Sequence, residues 1–249
     1  MSSSHTDEPI QLYARTAGAL GLVSVLAGGF GEAYVPSRLL VAGDAAATTA
    51  NILASEALFR WGFAAYLVEA LCDAGLTLLF YLLLRVVRKD LALLAVFLRL
   101  LGTAVFAMAQ TAHFMALPIA KGIGGQQALP ASHVETLVLL ATQVGSYGQA
   151  VSLLFYGAGT LLVGVLMARS GFIPSLVGVL LAVSGLGFLA KCFTLVLYPS
   201  VSSPLLLAPA GIAAVVMTGW LLLKGVDVQA WHARSSVAAN GGASRGRSR

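Results

Sequence analysis

The run LTLLFYLLLRVVRKDLALLAVFLRLLG, residues 76–102, reads as two apolar segments folded about one basic turn. The turn holds Arg85, Arg88, Lys89 and Asp90, and the chain on either side of it stays apolar for far longer than a soluble helix needs. A hydrocarbon layer about 30 Å thick takes roughly 20 such residues to cross. A spanning segment must satisfy its own backbone hydrogen bonds inside the layer, so each arm is a helix. The quoted run is a transmembrane hairpin with its bend at a membrane surface.

Working outward, five further regions extend or repeat this pattern. The six apolar runs cover about Thr16–Tyr34, Leu58–Leu84, Leu91–Leu117, Leu137–Met167, Pro174–Leu197 and Leu205–Leu223. Composition agrees: 58% of the 249 residues are hydrophobic, 10% are charged and the mean hydropathy is +0.88. A soluble surface cannot be covered with so few charges. A spanning barrel would show short alternating strands, and the sequence has none. One membrane domain, 12–231, accounts for the length, with an N-terminal segment 1–11 before it and a basic tail 232–249 after it. The tail, SSVAANGGASRGRSR at its end, is poor in bulky apolar residues and reads as disordered.

Basic residues orient the bundle. Arg15, the Arg85/Arg88/Lys89 turn, Arg169, Lys224 and the tail arginines fall on one side, whereas the opposite loops hold only Arg38 and Lys121. By the positive-inside rule both termini are expected in the cytoplasm, in the plasma membrane. The N-terminus lacks a basic region ahead of its first apolar run and reads as an uncleaved anchor. The net charge of +5 is a topology signal, because no basic patch alternates with aromatics as in a nucleic-acid site. The expected surroundings are the lipid bilayer, with no nucleic acid.

Between the first two runs lies LVAGDAAATTANILASEALFRWG, Leu40 to Gly62. Gly43-Asp44 reads as a turn with Asp44 capping a helix that continues without glycine or proline from Ala45 to Trp61. At 100° per residue Asp44, Thr48, Asn51 and Ser55 share one stripe, with Thr49, Glu56 and Arg60 beside it. Ala46, Ala50 and Ala54 lie on the other face. The spacing predicts an extracytoplasmic amphipathic helix whose alanine face packs closely and whose polar stripe faces water or a vestibule. It either shapes the outer surface or covers a cavity.

The same block carries a resemblance. Tyr13-Ala14-Arg15-x-x-Gly18, then Gly43-Asp44, Thr48, Asn51-Ile52, Ser55-Glu56 and Leu58-Phe59-Arg60, resembles bacterial membrane proteins grouped as domain of unknown function (DUF) 4386. The likeness runs from about Leu12 to about Lys224. It implies a multi-span membrane protein and no particular activity.

Ionisable groups inside the runs mark candidate sites, because each is costly in hydrocarbon. Tyr66, Glu69, Asp73 and Thr77 follow one another at helical spacing on one face. Asp73 lies twelve residues from Arg85, and Arg99 lies nine from Asp90. Their depths therefore differ by only about 5 Å. Gln149, Ser152 and Tyr156 form a further stripe. The candidate midplane site is Tyr66, Glu69, Asp73, Arg99, Gln149, Ser152 and Tyr156. Two carboxylates against one arginine leave an excess negative charge unless a proton, a cation or the Tyr156 hydroxyl completes the set. The set is either a packing network or a site for a small polar ligand, ion or proton.

A second candidate group lies toward the outer interface: Glu32, after Gly28-Gly29-Phe30-Gly31, with Asp44, Asn51, Glu56, Arg60, His113 and Lys191. Snorkelling to headgroups accounts for Arg60 and Lys191. His113 and His133 have no third ligand at a recognisable spacing, so no metal is expected. No cofactor is expected either, and no phosphate-binding, serine-hydrolase or zinc-protease motif occurs, which argues against an enzyme. Cys72 and Cys192 read as packing residues.

A faint repeat relates Thr77-Leu78-Leu79, Arg85 and Gly102 to Thr160-Leu161-Leu162, Arg169 and Gly185 at an offset of 83, with the arginines one residue out of register. Tyr156 and Ala182 stand where Asp73 and Arg99 would recur.

The sequence thus describes an all-α integral membrane protein with six transmembrane helices, an extracytoplasmic amphipathic helix between helices 1 and 2, and both termini cytoplasmic. Two classes of function stay open. One binds or moves a small polar ligand, ion or proton at the midplane site, and the other is a non-transporting sensor or partner subunit whose buried charges are structural.

Overall fold

The protein's structure, a computed structural model, describes residues 4–122 and 129–246. All regular elements among them are helices. α1 (Ser4–Gly28) passes through a π-helical segment (Gly29–Tyr34) into α2 (Val35–Leu39). There follow α3 (Ala45–Ala54), α4 (Glu56–Leu84), α5 (Lys89–Phe114), α6 (Ala116–Ala120), α7 (Ala131–Ala168), α8 (Ser175–Leu197), α9 (Ala208–Leu223) and α10 (Val228–Gly246).

Six stretches are long and apolar enough to cross a membrane: Pro9–Leu39, Glu56–Leu84, Lys89–Ala120, Ala131–Ala168, Ser175–Leu197 and Leu205–Leu223. They coincide with the six runs read from the sequence, and the first four are longer. Their outward faces are greasy, as lipid requires: Leu71 is 75% exposed, Met108 72% and Leu223 80%.

The chain forms two compact units. The first comprises Met1–Leu22, Asp73–Gly102 and Leu153–Arg249, and the second comprises Val23–Cys72 and Thr103–Ser152. The core of the first unit joins Leu76, Phe80 and Leu83 of α4, Ala92 and Ala95 of α5, and Val163, Leu166 and Met167 of α7. In this unit α7 and α8 lie backbone against backbone. A Cβ at Gly164 would strike Ala182, and one at Gly178 would strike Ala168, which is the close approach that small residues permit between membrane helices.

The C-terminal element is α10. Residues 232–246 continue α10, which is anchored at its start. Asp227 accepts the N–H of Ala230 at 3.0 Å, and the buried Trp231 donates Nε1–H to the Leu83 carbonyl at 3.0 Å. An N-cap and a fixed indole give the alanine-rich segment the nucleus that composition alone does not reveal.

The second unit has its own core of Val35, Leu39, Ile52, Phe59, Leu117 and Val138. Asp44 caps α3, its Oδ1 accepting the Ala47 N–H at 2.8 Å. The helix expected over Ala45–Trp61 is broken at Ser55, whose φ of −125° and ψ of 43° end α3 before α4 starts. The faces of α3 are also reversed from expectation. Thr48 is 2% exposed and Thr49 8%, whereas Ala46, Ala50 and Ala54 are exposed. The reason lies in the link from α2 to α3, whose backbone groups take side-chain partners from α3. Thr48 Oγ1 accepts from Val41 N–H at 3.0 Å and donates to Val41 O at 3.3 Å, and Asn51 Nδ2 donates to Leu39 O at 3.4 Å.

Candidate functional site

Arg99 is the largest fully buried side chain of the first unit, at 2% exposure, and every nitrogen of its guanidinium is engaged. Nε donates to Thr77 Oγ1 at 2.9 Å, and Nη1 donates to Thr160 Oγ1 at 2.8 Å. Nη2 donates to both Asp73 Oδ1 and the Tyr156 hydroxyl, the latter at 2.7 Å. Tyr156 in turn donates to Asp73 Oδ1 at 2.6 Å. The guanidinium carbon lies 4.2 Å from the centre of the Tyr156 ring and 5.6 Å from that of Phe80.

Three helices supply the parts at helical spacing. Asp73 and Thr77 stand one turn apart on α4, Tyr156 and Thr160 one turn apart on α7, and Arg99 comes from α5. Gly159 makes room for it, since a Cβ there would lie 2.7 Å from Arg99 Cγ. The cleft lined by Thr77, Phe80, Ala95, Arg99 and Val163 holds no space for a water. A charge removed from water must be paired and hydrogen-bonded, and this cluster meets both needs without a ligand.

The seven residues of the midplane set divide. Asp73, Arg99 and Tyr156 meet in the first unit, whereas Tyr66, Glu69, Gln149 and Ser152 belong to the second. Thr77 and Thr160 complete the arginine site, and neither was in the set. The signal for Thr160 was present, because Tyr156-x-x-x-Thr160 repeats the spacing of Asp73-x-x-x-Thr77 at the offset of 83.

In the second unit Gln149 Nε2 donates to Glu32 Oε1 at 2.9 Å. Glu32 therefore leaves the outer group and joins Gln149. Glu32 sits in the π-helical segment Gly29–Tyr34, a kind of bulge that is frequent at functional sites. Gly28, just before it, gives space to the Glu69 carboxyl: a Cβ there would lie 2.8 Å from Oε1. The Tyr66 phenol is buried and packs edge-on against Phe106 at 5.7 Å. Glu32 is exposed and Glu69 half-buried. Ser152 donates to the Gln149 carbonyl at 2.6 Å, fixing that turn of α7.

The unit's three Lys and Arg residues are placed elsewhere. Arg60 and Lys121 both pair with Glu56, at 2.8 and 2.9 Å, and Arg38 lies over the Tyr34 ring at 5.4 Å. The structure gives the remaining outer residues separate local tasks. Asp44 caps α3, Asn51 binds the Leu39 carbonyl, and the His113 ring stacks on Phe59 at 5.9 Å. Lys191 belongs to the first unit, where it donates to Ser202 Oγ at 2.9 Å. Among the described residues no three His, Cys, Asp or Glu side chains cluster as metal ligands.

Six apolar spans and a dry arginine clamp define a multi-span helical membrane protein. The chain belongs to the family described as domain of unknown function DUF4386, whose sequence profile matches residues 16–225. Comparison with curated proteins and with solved structures gave no match.

Proposed function

We propose that this protein binds and moves a proton at the carboxyl pair Glu32 and Glu69. The observation that carries the reading is that two carboxyls, Glu32 held by Gln149 and Glu69 seated against Gly28, lie within the apolar spans Pro9–Leu39 and Glu56–Leu84. Two carboxyls in a low-dielectric layer are housed most cheaply when they share a proton. Gln149 then orients Glu32 through its amide, and Gly28 leaves room for Glu69 to reorient. The asymmetric distribution of basic residues supports cytoplasmic termini in the plasma membrane.

The test is proton flux into liposomes that hold the full chain and an entrapped pH dye, driven by a potassium diffusion potential. Flux is expected in the wild type and should be lost in Glu32→Gln and Glu69→Gln. Wild-type flux no greater than that of empty liposomes refutes movement of the proton. The second reading, a non-transporting sensor or partner subunit, is favoured by the dry closure of the Asp73–Arg99 cluster, which leaves that half of the midplane set a structural task.

A further inference from the structure

Where α7 and α9 end, the first unit carries a groove of about 660 Å³, within the size range of small-molecule sites. Its walls include Ala168, the 171–175 link into α8, Trp220, Lys224 and Asp227. The groove is built into the fold. Asp227 N–H donates to the Phe172 carbonyl at 2.9 Å, tying the α9–α10 link to the α7–α8 link. Both links turn on left-handed glycines, Gly171 at φ +79° and Gly225 at φ +70°, where other residues would be strained. Gln11 braces the same corner from α1. Its Nε2 donates to the Lys224 carbonyl at 3.0 Å, and its Oε1 accepts the Val226 N–H at 3.1 Å.

The groove wall carries one lysine, Lys224, and one carboxylate, Asp227, and an arginine is held beside it. Lys224 lines it and is exposed. Arg234 reaches back from α10 to donate Nη2–H to the Arg169 carbonyl at 2.8 Å, which sets its guanidinium beside the residue that follows Ala168. Arg169 is itself exposed. The one carboxylate in the wall, Asp227, turns Oδ1 to the Ala230 N–H at 3.0 Å and caps α10. Lys224 in the wall and Arg234, held at the Arg169 carbonyl, therefore flank a groove whose carboxylate is engaged in a cap.

Greasy surface begins at the groove's edge. Leu176 on α8 is 66% exposed and Leu223 on α9 is 80% exposed. Trp220 in the wall lies one turn from the end of its span, where indoles sit at headgroup depth. A soluble anion would use the cations and leave the leucines idle. A phospholipid uses both, with its phosphate at the cations and its chains along the helices.

We propose that this groove holds the phosphate of an anionic phospholipid, with Lys224 and Arg234 as its cations. Basic pockets between membrane helices recognise such headgroups by this combination of charge and depth. The site is independent of the carboxyl pair.

The experiment is native mass spectrometry of the full chain in an uncharged detergent, with phosphatidylglycerol, phosphatidylcholine or inorganic phosphate added. Phosphatidylglycerol should be retained in preference to phosphatidylcholine, and excess inorganic phosphate should not displace it. Lys224→Gln and Arg234→Gln should each weaken retention about fivefold, as expected for one basic residue near an anionic headgroup. Lys224→Arg should keep it and Lys224→Glu should abolish it. Lys224 is exposed, so this series does not depend on refolding a core. Equal retention of phosphatidylcholine, or unchanged retention across the Lys224 series, overturns the proposal. Displacement by inorganic phosphate overturns it too, and marks a soluble-anion site instead.

Discussion

Thr77 and Thr160, on different helices and 83 residues apart, both accept a hydrogen bond from Arg99, at 2.9 and 2.8 Å. Asp73 and Tyr156 share the same offset and both take Nη2. The two halves of the faint repeat thus present matching pairs, Asp73-x-x-x-Thr77 and Tyr156-x-x-x-Thr160, to one guanidinium. A second arginine would have no place there, and Ala182 stands at the repeated position, packed against Gly164.

Removing one member of a buried ion pair strands the other, at a cost of about 3–5 kcal/mol, whereas replacing both with apolar residues is often neutral. Arg99→Leu and Asp73→Leu should each lower the detergent melting temperature. The double variant should recover much of the loss. Additive losses in the double variant would show that the two charges do not act as a pair.

The threonines offer a finer test of the same clamp. Thr77→Val and Thr160→Val each delete one acceptor of a charged donor and keep the side-chain volume, so each should cost about 1.5–3 kcal/mol. Chemical denaturation in mixed micelles measures this. Wild-type stability in both would mean that water replaces the lost acceptors.

Asp44→Ala removes the cap of α3 and should cost about 0.5–2 kcal/mol locally. Hydrogen exchange should quicken over Ala45–Ala54 and stay unchanged in α7 and α8. Unchanged protection in α3 would mean that the buried Thr48 and Asn51 contacts hold it alone.

Gly28→Ala places a methyl 2.8 Å from Glu69 Oε1, closer than such atoms approach, so the carboxyl must move. Proton flux is expected to fall several-fold while thermal stability changes little, since Glu69 is half-buried and its neighbour Gly29 has open space. Flux equal to the wild type would remove Gly28 from the site.

These sites differ in how far the sequence revealed them. Hydropathy is a long-range average, so the six spans were legible. Counting residues from the basic turn placed Asp73 and Arg99 at one depth without any contact being known. What stayed hidden depends on backbone details that residue types do not carry. The π-helical turn at Gly29–Tyr34 sets the position of Glu32 and so gave Gln149 its partner. The burial of Thr48 goes with its hydrogen bonds to the backbone of Val41, which no helical projection of α3 contains. The hold on α10 comes from the carbonyl of Leu83, 148 residues before Trp231.

The most direct measurement of the central claim is the infrared carbonyl stretch of protonated carboxylic acid in the full chain, recorded in lipid at neutral pH. Glu32 and Glu69 sharing a proton should give a band that is present in the wild type and is lost or shifted in Glu32→Gln and in Glu69→Gln. It should persist in Glu56→Gln, whose carboxylate pairs with Arg60 and Lys121. A wild-type spectrum without that band, or a band indifferent to both substitutions, would contradict a proton held between Glu32 and Glu69.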